Sequence, residues 1–159
     1  MAGRPPRPRV SGGARVKTDW IMTVSGRAFY PLEPRQEDIC IGDIAHALAA
    51  VNRFSGHTRE PYSVAQHSVL VSKVMAEIYA PPEHAWIYAL YGLLHDAAEA
   101  YIADVSRPLK KLEAFAGYRE AEKRLQSSIY MAFGLTGIEP EVLKTADRRM
   151  LRTEQHYLM

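Results

Sequence analysis

Apolar residues recur at helical spacing along most of this chain. Between Asp43 and Val51, positions Ile44, Leu48 and Val51 share one face, with Asp43 placed to cap the first turn. The stretch NRFSGHTREP breaks that pattern, and Ser63 and Gln66 then show the spacing of a capping box. Val64, Val71, Val74, Met75 and Ile78 form the apolar stripe of a second helix, which Pro81 and Pro82 close. Pro82 suits the first turn of a third helix, whose broad apolar face holds Trp86, Ala89, Leu90, Leu93, Leu94 and Ala97. DVSRPLK reads as a connection. A fourth helix, from Glu113 or Tyr118 to Phe133, carries Tyr118, Ala121, Leu125, Ile129 and Ala132 at helical spacing. GLTGIEP breaks it, and Pro140 opens a last helix with Val142, Leu143, Ala146, Met150 and Leu151. Ahead of all these, Trp20, Ile21, Met22 and Val24 suit a short strand or extended segment, with a turn at Gly26 and closure at Pro31 and Pro34. No hairpin, βαβ unit or internal repeat is legible. The expected fold is all-α, a bundle of five or more helices with an extended N-terminal segment.

Four polar residues interrupt the apolar faces. His67 falls in step with the stripe of the second helix and Asp147 with that of the last. His95 and Asp96 stand side by side inside YGLLHDAAEA, the most apolar part of the third. An inward His is usually a hydrogen-bonded core residue, and an inward Asp a buried tie between helices. Three helices showing the pattern together point instead to convergence on one cation, because a buried charge without a partner costs several kcal/mol, roughly. Two imidazoles and two carboxylates form a mixed nitrogen and oxygen shell without thiolate. That set suits Mn²⁺, Fe²⁺ or Co²⁺ in octahedral geometry with open positions; Zn²⁺ also takes such ligands, and Mg²⁺ prefers oxygen alone. One divalent transition metal per chain is expected. Glu99 lies one turn beyond His95 and Asp96 on a neighbouring face of the same helix, placed to move a proton at a metal-bound water. Asp104 follows, either near a substrate hydroxyl or as a cap for VSRPLK.

Composition narrows the setting. The 159 residues suffice for one domain, with 47% hydrophobic and 24% charged residues, ordinary for a globular protein. A single cysteine, Cys40, rules out an intrachain disulfide and a cysteine-rich zinc site, and a cytoplasmic setting is expected. No apolar run approaches the roughly 20 residues of a membrane span. Residues 1–17 carry Arg4, Arg7, Arg9, Arg15 and Lys17 without an acid, while the remaining 142 residues have a net charge of −3. The leader lacks the apolar core of a secretory signal and is expected to be a disordered basic arm, leaving 18–159 as one domain. The body is not a basic platform for nucleic acid. His46, His84 and His156 are expected at the surface, whereas His57, in the loop between Arg53 and His67, is placed where it could reach a substrate.

The pattern formed by His67, His95-Asp96 and Asp147 resembles the HD-domain phosphohydrolase superfamily, defined by H…HD…D. NRFSGHTREPYSVAQHS and HDAAEAYIADVSRPLK are similar to segments of its 5′-deoxynucleotidases: an Arg-aromatic pair, here Arg53-Phe54, upstream of the first His, then HDxxE, then an Asp before a Pro-containing turn. The resemblance covers roughly Asp43 to Leu151. It implies release of phosphate from a deoxynucleoside monophosphate by a homo-oligomer, at least a dimer. Arg53 would bind phosphate, Phe54 would stand where relatives carry Trp, Glu99 would act on the water or leaving group, and Asp104 would help place substrate.

Phage-type dATP triphosphohydrolases are similar too. Their likeness would put Trp20 and Ile21 against a base, with an ordinary core role as the alternative, and would bring Arg107, Lys110 and Lys111 to extra phosphates, with a solvated basic turn as the alternative. Cyclic-dinucleotide phosphodiesterases carry Lys where Glu99 stands, and alarmone hydrolases Glu-Asp at Glu99-Ala100, so neither branch fits. The reaction expected is in-line attack on phosphorus by a metal-activated water. A non-catalytic module that binds nucleotide or nucleic acid through the basic arm is the reading from another class; the ligand set and Glu99 speak against it.

Overall fold

A computed structural model describes residues 19–159; the basic arm assigned to 1–17 lies outside them. Five helices have ten residues or more: α1 (Ile41–Ala50), α2 (Val64–Val74), α3 (Ala85–Leu94), α6 (Ala116–Ala132) and α7 (Glu141–Leu158). Two single-turn helices, α4 (Glu99–Ile102) and α5 (Arg107–Lys110), lie between α3 and α6. The all-α architecture expected from the apolar pattern is therefore present. No described helix is long and apolar enough to cross a membrane.

Local chemistry sets most boundaries where they were expected. The Ser63 hydroxyl accepts from the Gln66 N–H and the Gln66 side chain accepts from the Ser63 N–H, so α2 begins on a complete capping box. Its far end widens into a π-helical turn, Met75–Tyr79, before Pro81. Pro140 precedes the first residue of α7, where its missing N–H costs nothing.

Three expectations are corrected. Asp43 does not cap α1; Cys40 holds that position, and Asp43 is buried in the first turn, accepting from the N–H and hydroxyl of Ser25 at 2.9 and 2.8 Å. That tie anchors a hairpin that the residue pattern hid, because its strands are only two residues each: β1 (Ile21–Met22) pairs antiparallel with β2 (Ala28–Phe29), Ile21 opposite Phe29. Gly26 takes φ +79° in its turn. The segment DVSRPLK is not only a connection, since it contains α5.

The interior has two apolar clusters. One gathers Phe29, Ile44, Leu48, Val64, Tyr91, Leu94, Leu125, Ile129 and Tyr130, with Phe29 stacked on Tyr101 at 3.9 Å between ring centres. The other gathers Val71, Met75, Leu143, Ala146 and Met150. Helix α2 bridges them, contributing Val64 to the first and Val71 to the second. His67 stands between those two residues, fully buried. Helices α2 and α3 touch closely because Gly92 has no side chain: a Cβ there would lie 2.8 Å from the Cα of Ser72.

Candidate metal centre

The first ligand, His67, comes from the middle of α2. Its Nδ1 lies 2.6 Å from Oε1 of Glu154 on α7. A carboxylate only accepts, so Nδ1 carries the hydrogen and Nε2 is left as the lone-pair nitrogen. His95 is fixed in the same way by the Gly92 carbonyl, 2.8 Å from its Nδ1. The two Nε2 atoms then face each other at 3.1 Å. Two lone pairs at that distance repel unless a cation lies with them.

Carboxylate oxygens complete the cluster. Asp96 Oδ2 is 3.1 Å from His95 Nε2 and 3.7 Å from His67 Nε2. Asp147 Oδ1 is 3.3 Å from His67 Nε2 and 4.0 Å from His95 Nε2. Ligands about 2.1 Å from one metal would stand about 3.0 Å apart when adjacent and about 4.2 Å when opposed in an octahedron. The separations measured from the two Nε2 atoms fall in that range. His67, His95 and Asp96 alone form a group that could hold a metal ion, with Asp147 on its α7 side.

Electrostatics point the same way. Burial opposes the charged form of Asp96, but the charges of His95, His67 and Arg53 hold its carboxyl well below the usual range. Asp147 and Glu154 are also lowered against burial, chiefly by their contacts with His67. Burial would lower the His95 imidazole; Asp96, then Asp147 and the Gly92 carbonyl, outweigh it and raise it to about 9. Three carboxylates, Asp96, Asp147 and Glu154, stand against one guanidinium, Arg53, which lies 3.2 Å from Glu154 and 3.4 Å from Asp96. The excess of two negative charges is what one divalent cation neutralises.

The His-Asp pair does not lie within a helix, as its apolar surroundings suggested. α3 ends at Leu94, and residues 95–98 form a tight turn with bonds from Ala97 N–H to Leu94 O and from Glu99 N–H to Asp96 O. Gln126 of α6 patches this break: its amide oxygen accepts from the Ala98 N–H at 3.0 Å and its NH₂ donates to the Leu94 carbonyl at 2.7 Å. In so tight a turn, residues three apart lie nearly in line, which sets Glu99 close enough to Asp96 for that charge to act on it. Burial first, then the charges of Asp96 and Asp104, push the Glu99 carboxyl up to about 9; Lys110, 3.8 Å away, opposes but does not win. The Oε2 atom of Glu99 is buried without a hydrogen-bond partner.

Glu99 lines a cleft of about 890 Å³ that opens beside His95 and Asp96, between α6 and the segment leading into α7. That volume lies in the range of small-molecule sites. Lys110 lines it, held by Glu122 at 2.6 Å, and Lys123 and Lys144 stand on its walls. Arg107 and Lys111 are exposed and are not among its lining residues. Nor are Trp20, half-buried, Ile21, exposed on β1, or His57, exposed in its loop. Asp104 is exposed just after Ala103, whose φ of 65° and ψ of 158° are conformations that residues with a Cβ rarely take. His46, His84 and His156 are exposed as expected.

Arg53 enters from a loop with its own strain. Phe54 and Ser55 have φ of 54° and 52°, in the left-handed region, and the Arg53 guanidinium lies 5.6 Å from the Phe54 ring centre. Sequence reasoning missed Glu154, Tyr62 and Gln126. Glu154 had a legible signal: it follows Asp147 by seven residues, two helical turns, on the same face of α7.

Among curated proteins, the chain is 39% identical over 139 residues to the uncharacterized protein YfdR of Escherichia coli K12, covering 87% of this chain and 72% of that one. It is 39% identical over 133 residues to an uncharacterized protein of Rhodobacter capsulatus, covering 82% of this chain and 66% of the relative. No family model matches it.

Proposed function

The chain belongs to the same family as YfdR of Escherichia coli, and from the centre just described we propose that it is a metal-dependent phosphohydrolase that releases phosphate from deoxynucleoside monophosphates. The observation that carries the reading is the pair of facing Nε2 atoms of His67 and His95, set between two carboxylates at ligand separations. His67, His95, Asp96 and Asp147 would hold one divalent transition ion, Mn²⁺, Co²⁺ or Fe²⁺, with Zn²⁺ also chemically suited. When bound, it would neutralise phosphate charge and make water nucleophilic near neutral pH. This is the role that the resemblance to HD-domain phosphohydrolases assigns to the same four positions.

The chain's own groups fit the remaining tasks. Arg53, held by Glu154 through Nε, turns Nη1 towards Asp96 and can donate to a phosphate oxygen there. Glu99, whose carboxyl burial pushes upward, can give a hydrogen to the oxygen that leaves phosphorus as the water oxygen bonds to phosphorus. The cleft gives the nucleoside room. Lys123 and Lys144 on its walls favour a second reading, a triphosphohydrolase acting on a dNTP, in which they would meet further phosphates. Against it, Arg107 and Lys111 stand away from the cleft and Lys110 is engaged by Glu122.

The test is a screen of dNMPs and dNTPs with Mn²⁺, Co²⁺, Fe²⁺ and Zn²⁺, with products identified. Phosphate and deoxynucleoside from a dNMP is the expected result. Triphosphate from a dNTP, at a rate far above dNMP cleavage, selects the second reading, and inactivity with every metal and nucleotide overturns both.

A further inference from the structure

One buried carboxylate touches both halves of the proposed site. Glu154 is 3% exposed and accepts from three donors. Its Oε1 takes the His67 Nδ1–H at 2.6 Å and the Tyr62 hydroxyl at 2.9 Å, and its Oε2 takes the Arg53 Nε–H at 3.2 Å. Those donors come from three places: α2, the strand-like approach to it, and the strained loop after α1. Asp147, two turns earlier on the same helix, faces the same His67 ring from its Nε2 side. One face of α7 therefore grips His67 at both nitrogens and grips Arg53 as well.

We propose that Glu154 is a positioning residue that couples the two halves, so that a divalent cation and a phosphate-type anion bind cooperatively through its carboxylate. The inference rests on the reading above, in which Arg53 meets an anion beside the metal.

Two physical links carry the coupling. A cation at His67 Nε2 draws electron density from the ring and makes its Nδ1–H a stronger donor, which tightens the bond to Glu154 Oε1. The same cation takes up the charge of Asp96, whose oxygen otherwise attracts Arg53 Nη1 from 3.4 Å. The guanidinium stays fixed by its Nε–H to Glu154 while its outer edge becomes available to an anion. An arginine anchored in this way keeps its planar fork aimed, which a lysine could not do. Linkage is reciprocal, so an anion on Arg53 must strengthen cation binding by the same factor.

The test uses the full chain, Mn²⁺ and inorganic phosphate, with calorimetry of each ligand in the presence and absence of the other. In the wild type, Mn²⁺ should raise phosphate affinity by roughly 5–150-fold, the usual span of such couplings. Glu154→Gln keeps the shape, removes the charge and turns an NH₂ or a single acceptor towards three donors. It should weaken Mn²⁺ binding about 10–100-fold and leave a coupling factor clearly smaller than that of the wild type. Should that variant fail to fold, Arg53→Lys serves as the second arm, keeping the charge but not the Nε–H; Mn²⁺ affinity near the wild-type value with the coupling reduced supports the proposal. Wild-type coupling in Glu154→Gln, or in Arg53→Lys, overturns it. The two readings fail differently. Coupled binding without hydrolysis of any nucleotide sinks the phosphohydrolase reading alone, and hydrolysis with coupling that ignores Glu154 sinks this one alone.

Discussion

The carbonyl of Gly92 accepts the Nδ1–H of His95 at 2.8 Å, while its α-carbon lies so close to Ser72 that a Cβ would come within 2.8 Å of backbone. One residue thus sets both the orientation of a ligand and the spacing of the two helices that carry the imidazoles. Gly92→Ala must push α3 from α2, since backbone atoms cannot rotate aside. Overpacking of this kind costs roughly 1–3 kcal/mol. The expected outcome is a lower denaturation midpoint together with weaker Mn²⁺ binding. Unchanged values for both would show that the helices yield without disturbing the rings.

Asp96→Asn should remove Mn²⁺ or Co²⁺ from the chain. It takes one charge from the pair of facing imidazoles and leaves Arg53 with Glu154 alone. Elemental analysis after reconstitution reads the result directly, and one equivalent of metal retained by the variant would exclude Asp96 as a ligand.

Glu99 yields a signed pH dependence. Its carboxyl is raised to about 9 in the folded, metal-free chain, against roughly 4.3 in an unfolded one. The folded state thus holds this proton more tightly. Its contribution to stability is complete below the unfolded value and is lost as pH rises towards 9. Relative to Glu99→Gln, the wild type should lose stability steadily between about pH 5 and pH 9. Chemical denaturation of both chains across that window measures the difference, and a flat difference would show that Glu99 is already ionised at pH 5. In the metal-loaded protein, Glu99→Gln should retain the ion while turnover falls by roughly 10²–10⁴-fold. Loss of the metal would instead make Glu99 a ligand.

Lys110 and its neighbours separate the substrate readings. Arg107 and Lys111 are exposed and off the cleft, so neutralising both should leave kcat/KM with a dNMP almost unchanged. Neutralising Lys123 and Lys144 should matter only to a substrate with more than one phosphate. A drop confined to dNTP cleavage would favour the triphosphohydrolase.

Gln126→Leu removes both hydrogen bonds that close the break between α3 and α4. The Ala98 N–H and the Leu94 carbonyl would be left unpaired in the interior, at about 1–3 kcal/mol each. The unfolding free energy should fall accordingly, and a variant as stable as the wild type would show that water reaches the break.

Periodicity made the five long helices legible because each buries one face, and Ser63 with Gln66 announced the start of α2 outright. His67 and Asp147 were legible for the same reason, as polar residues on apolar faces. The tight turn at His95-Asp96 was not, since an unbroken apolar run reads as helix whether or not its backbone bonds continue; what breaks it is repaired from α6, 28 residues further on. The hairpin escaped because two-residue strands have no period. Glu154 escaped because a carboxylate near the end of a charged helix looks like solvent-facing charge until the partners from α2 and the strained loop are in place.

The position of His67 between Val64 and Val71 has a consequence for how the molecule comes apart. His95 and Asp96 neighbour Leu94 and Ala97 of one apolar cluster, and Asp147 neighbours Ala146 of the other. An ion shared by these side chains would work as a rivet between two packing units that otherwise meet along α2 and α3. With the rivet in place the chain should melt as a single cooperative block. Stripped of it, the half built on α7 is free to loosen first, and the heat-absorption peak should broaden or split before the half around Phe29 and Tyr130 gives way.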